Sequence, residues 1–148
     1  MSRRAAKRRS RGFQTGLKPV AKTGKFGRER RLHGKVAFAR VYARRCSAVN
    51  RLVIVYALAN GLPYSRLGLS VGRKHGTAVR RNRIKRLLRE AFRYESAAIP
   101  PGYDFICIPR EGEIAPLTEY RRALRATATR ASAAALRRGQ EPDRPGDT

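Results

Sequence analysis

The densest chemistry in this sequence is cationic and lies in one string, RRNRIKRLLREAFR, from Arg80 to Arg93. On a helical wheel, Ile84, Leu87, Leu88, Ala91 and Phe92 fall on one side, at i, i+3, i+4, i+7 and i+8. Asn82, Lys85, Arg86, Arg89 and Arg93 fall on the other, with Arg81 at the boundary and Arg83 on the far flank. Burying the apolar side, at about 25 cal/mol per Å², contributes several kcal/mol and fixes where the cations point. A solvated helix face normally mixes signs, yet Glu90 is the only acid in the string. Arg81, Lys85 and Arg89 follow one another at intervals of four, where like charges repel. A stripe that costs stability by itself is explained by bound phosphates, and the planar fork of Arg grips two phosphate oxygens at once. Asn82 adds an uncharged hydrogen-bonding side chain. Arg73 and Lys74, just ahead of the helix, extend the basic surface, and the amides of the helix start attract anions.

Other chemistries are poorly provided for. A nuclease acting alone needs carboxylates, histidines or similar groups that hold metal or move protons. Between Leu32 and Ala115 the acids are Glu90, Glu95, Asp104, Glu111 and Glu113, and none forms a metal-binding cluster by spacing. His33 and His75 are isolated and read as surface or loop residues, His75 lying in the basic connection where it could touch a bound polyanion such as RNA. Cys46 and Cys107 read as packing residues. Gly68 to Lys74 lacks the GxxxxGK[ST] spacing of a nucleotide-phosphate loop. The expectation is a polypeptide with no catalytic residue, no metal site and no small-molecule cofactor.

The elements that position the cationic string are legible in outline. Leu32, Val36, Phe38, Val41 and Tyr42 recur at helical spacing and predict a helix over Arg31 to Arg45, with Phe38 and Tyr42 on one face. Arg51 to Ala59 is β-branched and short, hence a strand, in which Ile54 and Tyr56 face the same side. Asn60 to Pro63 signals a turn, and a strand over Arg66 to Val71 is expected to close an antiparallel hairpin. Thr77 is placed to cap a helix running from Ala78 to about Ser96. Tyr103 to Ile108 is another strand, and Pro116 opens a last helix that Gly139 stops. Helices packed on a sheet follow, an α+β sandwich.

The chain has 148 residues, enough for one domain with tails. Lys and Arg number 35 against 10 Asp and Glu, a net charge of +25 that calls for an anionic partner, nucleic acid above all. A hydrophobic content of 41% permits a core. No apolar run is long enough to span a membrane, and no apolar stretch follows the basic N-terminus to make a secretory signal, so a cytoplasmic protein is expected. Residues 1–30 read as a flexible basic arm, 31–138 as the folded domain and 139–148 as a disordered tail. Charge alone would also suit a ribosomal or ribosome-assembly protein. A helix-turn-helix DNA reader is disfavoured, because strands flank the basic helix on both sides.

The run GLSVGRKHGTAVRRNRIKRLLREAFR, Gly68 to Arg93, resembles the signature of the bacterial ribonuclease P protein subunit, whose RNR helix appears as Arg81-Asn82-Arg83 followed by Ile84-Lys85-Arg86. The resemblance covers roughly residues 31–135 and takes in Phe38, Tyr42, Asn50-Arg51, Ile54, Tyr56 and the last helix. It implies a four-stranded sheet with helices in the order αβββαβα and a left-handed crossover through the RNR helix. It also implies a function: an accessory subunit, pairing one to one with a catalytic RNA that removes the 5′ leader of precursor tRNA. Magnesium would be held mainly by that RNA and the substrate. By the same resemblance, Arg81, Asn82, Arg83, Lys85, Arg86 and Arg89, with Arg73 and Lys74, would contact RNA. Phe38, Tyr42, Ile54 and Tyr56 would line the cleft for the single-stranded leader, stacking its bases with little sequence preference. Tyr42 stands where Phe is commoner in the family, and stacking survives the hydroxyl. The basic arm is longer than the family usually carries, and the resemblance implies nothing about it.

Overall fold

The computed structural model describes residues 27–139; most of the basic arm and all but the first residue of the tail lie outside the described residues. The elements run α1 (Lys35–Arg44), β1 (Ser47–Val49), β2 (Val53–Ala59), β3 (Arg66–Leu69), α2 (Ala78–Glu95), β4 (Tyr103–Pro109) and α3 (Leu117–Arg137). Short 3-10 turns at Arg28–Arg30 and Arg73–His75 precede α1 and α2. The sheet order is β1-β2-β4-β3. β2 pairs antiparallel with β1 and β4, while β3 and β4, joined through α2, are parallel. This is the mixed four-stranded α+β arrangement, in the order αβββαβα, that the resemblance implied.

Strand alternation builds two cores. Val53, Val55, Ala57, Leu67, Phe105 and Cys107 meet Ile84, Leu88, Ala91 and Phe92 of α2 and Tyr120, Ala123, Leu124, Ala128 and Ala131 of α3. The alanines let α3 lie close to the sheet. On the opposite side Leu32, Val41, Leu58 and Ile106 form a smaller cluster under α1, with Phe38, Tyr42, Tyr56 and Ile108 packed against it. The cationic helix and the aromatic pair of α1 therefore belong to different faces of one sheet.

Two expectations need correction, and one strand was legible only through the resemblance. The first helix begins at Lys35, not Arg31: Gly34 has φ 99°, and Leu32 runs extended, its N–H donating to the Leu67 carbonyl at 2.9 Å. Arg31 bridges Leu67 in parallel fashion, so the chain ahead of α1 covers the outer edge of β3 and carries order back into the stretch read as arm. β1, only three residues long and mostly exposed, escaped the residue pattern. Its turn is closed by Asn50, whose Oδ1 accepts from the N–H groups of Leu52 and Val53 at 2.9 and 3.0 Å. Finally, β2 and β3 form no hairpin, because β4 lies between them. β4 pairs along the whole of β2, from Val53↔Pro109 to Ala59↔Tyr103, whereas β3 offers only Arg66–Leu69. The longer ladder takes the position beside β2.

Candidate RNA interface

Thr77 starts α2 as its type predicts: extended itself, it accepts the Arg80 N–H on Oγ1 at 3.2 Å. The helix then buries Ile84, Leu88, Ala91 and Phe92 and half-buries Leu87, the side the wheel assigned to the core. Asn82, Arg83 and Arg86 are exposed, and Arg81, Lys85 and Arg89 half-buried. Arg81 Nε donates to the Gly76 carbonyl at 3.2 Å. Among the described residues, no acid pairs with Arg83, Lys85, Arg86 or Arg89. Burial, and secondarily the positive charge of Arg31, hold the Arg89 guanidinium below its ordinary pKa. A nearby anion would relieve both.

The rest of the basic segment divides. Arg73 and Lys74 are exposed ahead of α2, Lys74 lying 4.0 Å from Glu111. Arg93, placed on the polar side by the wheel, is instead tied down by the Glu90 carboxylate and by the Tyr94 ring 4.5 Å away. His75 is not a surface residue and does not reach outward to RNA. It is 5% exposed, with Nε2 at 2.7 Å from the Pro109 carbonyl oxygen, so it braces the turn against β4.

The three aromatic members of the predicted cleft converge on the other side of the sheet. Phe38 meets Tyr42 edge-on with centroids 6.4 Å apart, and Tyr42 meets Tyr56 at 5.0 Å and 82°. Ile54 sits two residues along β2 from Tyr56, opposite Ile108. All four are half-buried, and Phe38, Tyr42 and Tyr56 pack against the α1 cluster. Phe38 also lines a groove of about 390 Å³ at the β3 edge, together with Arg28, Arg31, His33, Lys85 and Arg89. That groove joins the cationic helix to the aromatic cleft. Arg28, Arg31 and His33 were missed as site residues. Their basic run was visible, but it was divided between arm and helix, and only the Arg31–Leu67 pairing carries it to the β3 edge.

Comparison with known proteins agrees with this geometry. The ribonuclease P family model matches residues 26–132, which hold the cleft, the groove and all of α2. The chain belongs to the ribonuclease P protein family. The ribonuclease P protein component of Thermotoga maritima is 43% identical over 89 residues, 60% of this chain and 76% of that protein. The protein component of Clostridioides difficile is 41% identical over 86 residues, 57% and 75% of the two chains. Among solved structures, the RNase P protein of Thermotoga maritima superposes with a TM-score of 0.59 at 37% identity, covering 64% of this chain and 90% of that one. The Staphylococcus aureus RNase P protein gives 0.59 at 33% identity, covering 66% and 90%.

In this member of the ribonuclease P family the core carboxylates have structural duties. Asp104 accepts from Arg66 at 2.8 and 2.7 Å and from Asn60 Nδ2 at 2.9 Å, and its hydrogen bond raises the Arg66 pKa. Glu95, 8% exposed, lies 2.7 Å from Arg121 and 3.7 Å from Arg125. Among the described residues, no three His, Cys, Asp or Glu side chains come together as a metal site. Cys46 and Cys107 are buried, and burial pushes the Cys107 thiol up to about 12, which keeps it a neutral packing group. No helix among the described residues is long and apolar enough to cross a membrane.

Proposed function

We propose that this chain is the RNA-binding subunit of a cytoplasmic ribonuclease P, pairing one to one with the catalytic RNA and assisting removal of the 5′ leader from precursor tRNA. The observation that carries the reading is the α2 face, where Arg83, Lys85, Arg86 and Arg89 point away from the core with no acid pairing them among the described residues. Such a face neutralises phosphates and releases their counterions. In this reading Arg81, Asn82, Arg83, Lys85, Arg86 and Arg89, with Arg73 and Lys74, grip the catalytic RNA. Phe38, Tyr42, Ile54 and Tyr56 hold the single-stranded leader, with Phe38 and the two tyrosines offering partly open ring faces for stacking.

Magnesium serves the phosphodiester hydrolysis in this proposal. By the family resemblance it is assigned mainly to the RNA and the substrate. The protein's own contribution is to bind, orient and screen phosphate repulsion. Adding the purified chain to a bacterial ribonuclease P RNA at low magnesium should restore precursor-tRNA cleavage. Failure to restore it, or co-purification of the chain with ribosomal RNA in place of one abundant non-ribosomal RNA, would refute the proposal.

A further inference from the structure

Gly68 stands in β3, buried, where glycine gives up backbone entropy and packs no side chain. Its backbone does not demand glycine, since its φ is outside the left-handed region occupied by Gly34, Gly61, Gly76, Gly102, Gly112 and Gly139. Space demands it instead. A Cβ at this position would lie 2.7 Å from Cζ and 2.9 Å from Cε1 of Phe38, and 3.1 Å from the backbone oxygen of Leu32. Carbon atoms in good contact stand about 3.5–4.0 Å apart, so the Phe38 ring already fills the volume that a methyl group would take. The Leu32 segment cannot simply retreat, because its N–H is bonded to the Leu67 carbonyl at 2.9 Å.

We infer that Gly68 is a positioning residue for the leader cleft: by lacking a side chain it lets the tip of Phe38 seat against β3, and this sets the depth and tilt of the ring presented to a base. The inference rests on the cleft reading above. With alanine at this position the ring must lift by about 1 Å, judged by the contact distances. It would lift within the half-buried layer that it shares with Tyr42. Stacking depends on ring placement, and a full stacked base is worth roughly tenfold in affinity.

The test measures binding of the assembled ribonucleoprotein to leader-bearing precursor tRNA and to mature tRNA, and takes the ratio. Gly68→Ala should lower the ratio about tenfold, with affinity for the catalytic RNA unchanged. Phe38→Leu removes the Cζ and Cε atoms that collide, so adding Gly68→Ala to it should change the ratio no further. An equal loss in both backgrounds overturns the inference. So does an unchanged ratio for Gly68→Ala when Phe38→Ala lowers it. If Phe38→Ala itself leaves the ratio intact, the cleft reading fails and takes this inference with it. Should Gly68→Ala alone not fold, a double variant that folds and matches Phe38→Leu supports the inference. A double variant that also fails to fold overturns it, because the Leu32 backbone and not Phe38 would then be the obstacle.

Discussion

α2 and α3 lie side by side under one face of the sheet, both rich in arginine, and they use that charge in opposite ways. On α3, Arg121 and Arg125 converge on Glu95, Arg121 stacks 4.6 Å over the Tyr94 ring, and Arg130 donates to the Val49 carbonyl at 2.7 Å. These arginines are mortar between α3, α2 and β1. On α2, Arg83, Lys85, Arg86 and Arg89 have no such partners among the described residues, although they sit closer together. The number of arginines on a helix therefore says little about binding. What matters is whether the fold supplies the counter-charge, because a guanidinium already bonded within the protein must lose that bond before it takes a phosphate. α2 contains both kinds: its C-terminal turn, where Glu90 holds Arg93, behaves like α3.

Breaking the scaffold under the cations should have the largest effect. Leu88 is fully buried beneath the α2 stripe, and Leu88→Ala should lower unfolding free energy by about 2–5 kcal/mol in a denaturant titration. Next, the two helices can be set against each other. Replacing Lys85, Arg86 and Arg89 by alanine should cut the slope of log affinity for the catalytic RNA against log salt by roughly one unit per lost contact. The matching pair Arg121→Ala and Arg125→Ala should leave that slope unaltered and together cost about 1–3 kcal/mol in stability, since Glu95, buried beside them, loses its counter-charge. Equal slope changes on the two helices would erase the contrast. Thr77→Ala should destabilise by about 1 kcal/mol through loss of the α2 cap.

The smallest effect is a pH dependence. The hydrogen bond from Arg93 holds the Glu90 carboxyl below its ordinary value of 4.5. Its stabilisation is therefore present above that ordinary value and is lost as pH falls through the lower folded value. The difference in melting temperature between the parent and Glu90→Gln should be widest near neutrality and close in acid. A difference that is constant across this range would mean that the pair has no electrostatic role.

Much of the candidate site was legible because its signals are local. The apolar and cationic sides of α2 follow from a period of 3.6 residues, and Thr77, Pro116 and Gly139 mark helix ends by their own backbone chemistry. Phe38 and Tyr42 at i and i+4, and Ile54 and Tyr56 at i and i+2, had to share faces once their elements formed. Other features depend on partners distant in sequence. β4 separates β2 from β3, His75 is buried under β4, Arg93 is claimed by Glu90, and the chain ahead of α1 pairs with β3. Periodicity assigns a residue to a face, but which ladder wins a strand edge and which carbonyl meets a buried imidazole are settled by competition among distant segments. The amino-acid sequence by itself determined a helix with an oily side and a cationic side. Only the tertiary structure decided that Lys85 and Arg89 of that helix share a groove with Phe38, because only sheet order brings β3 between them.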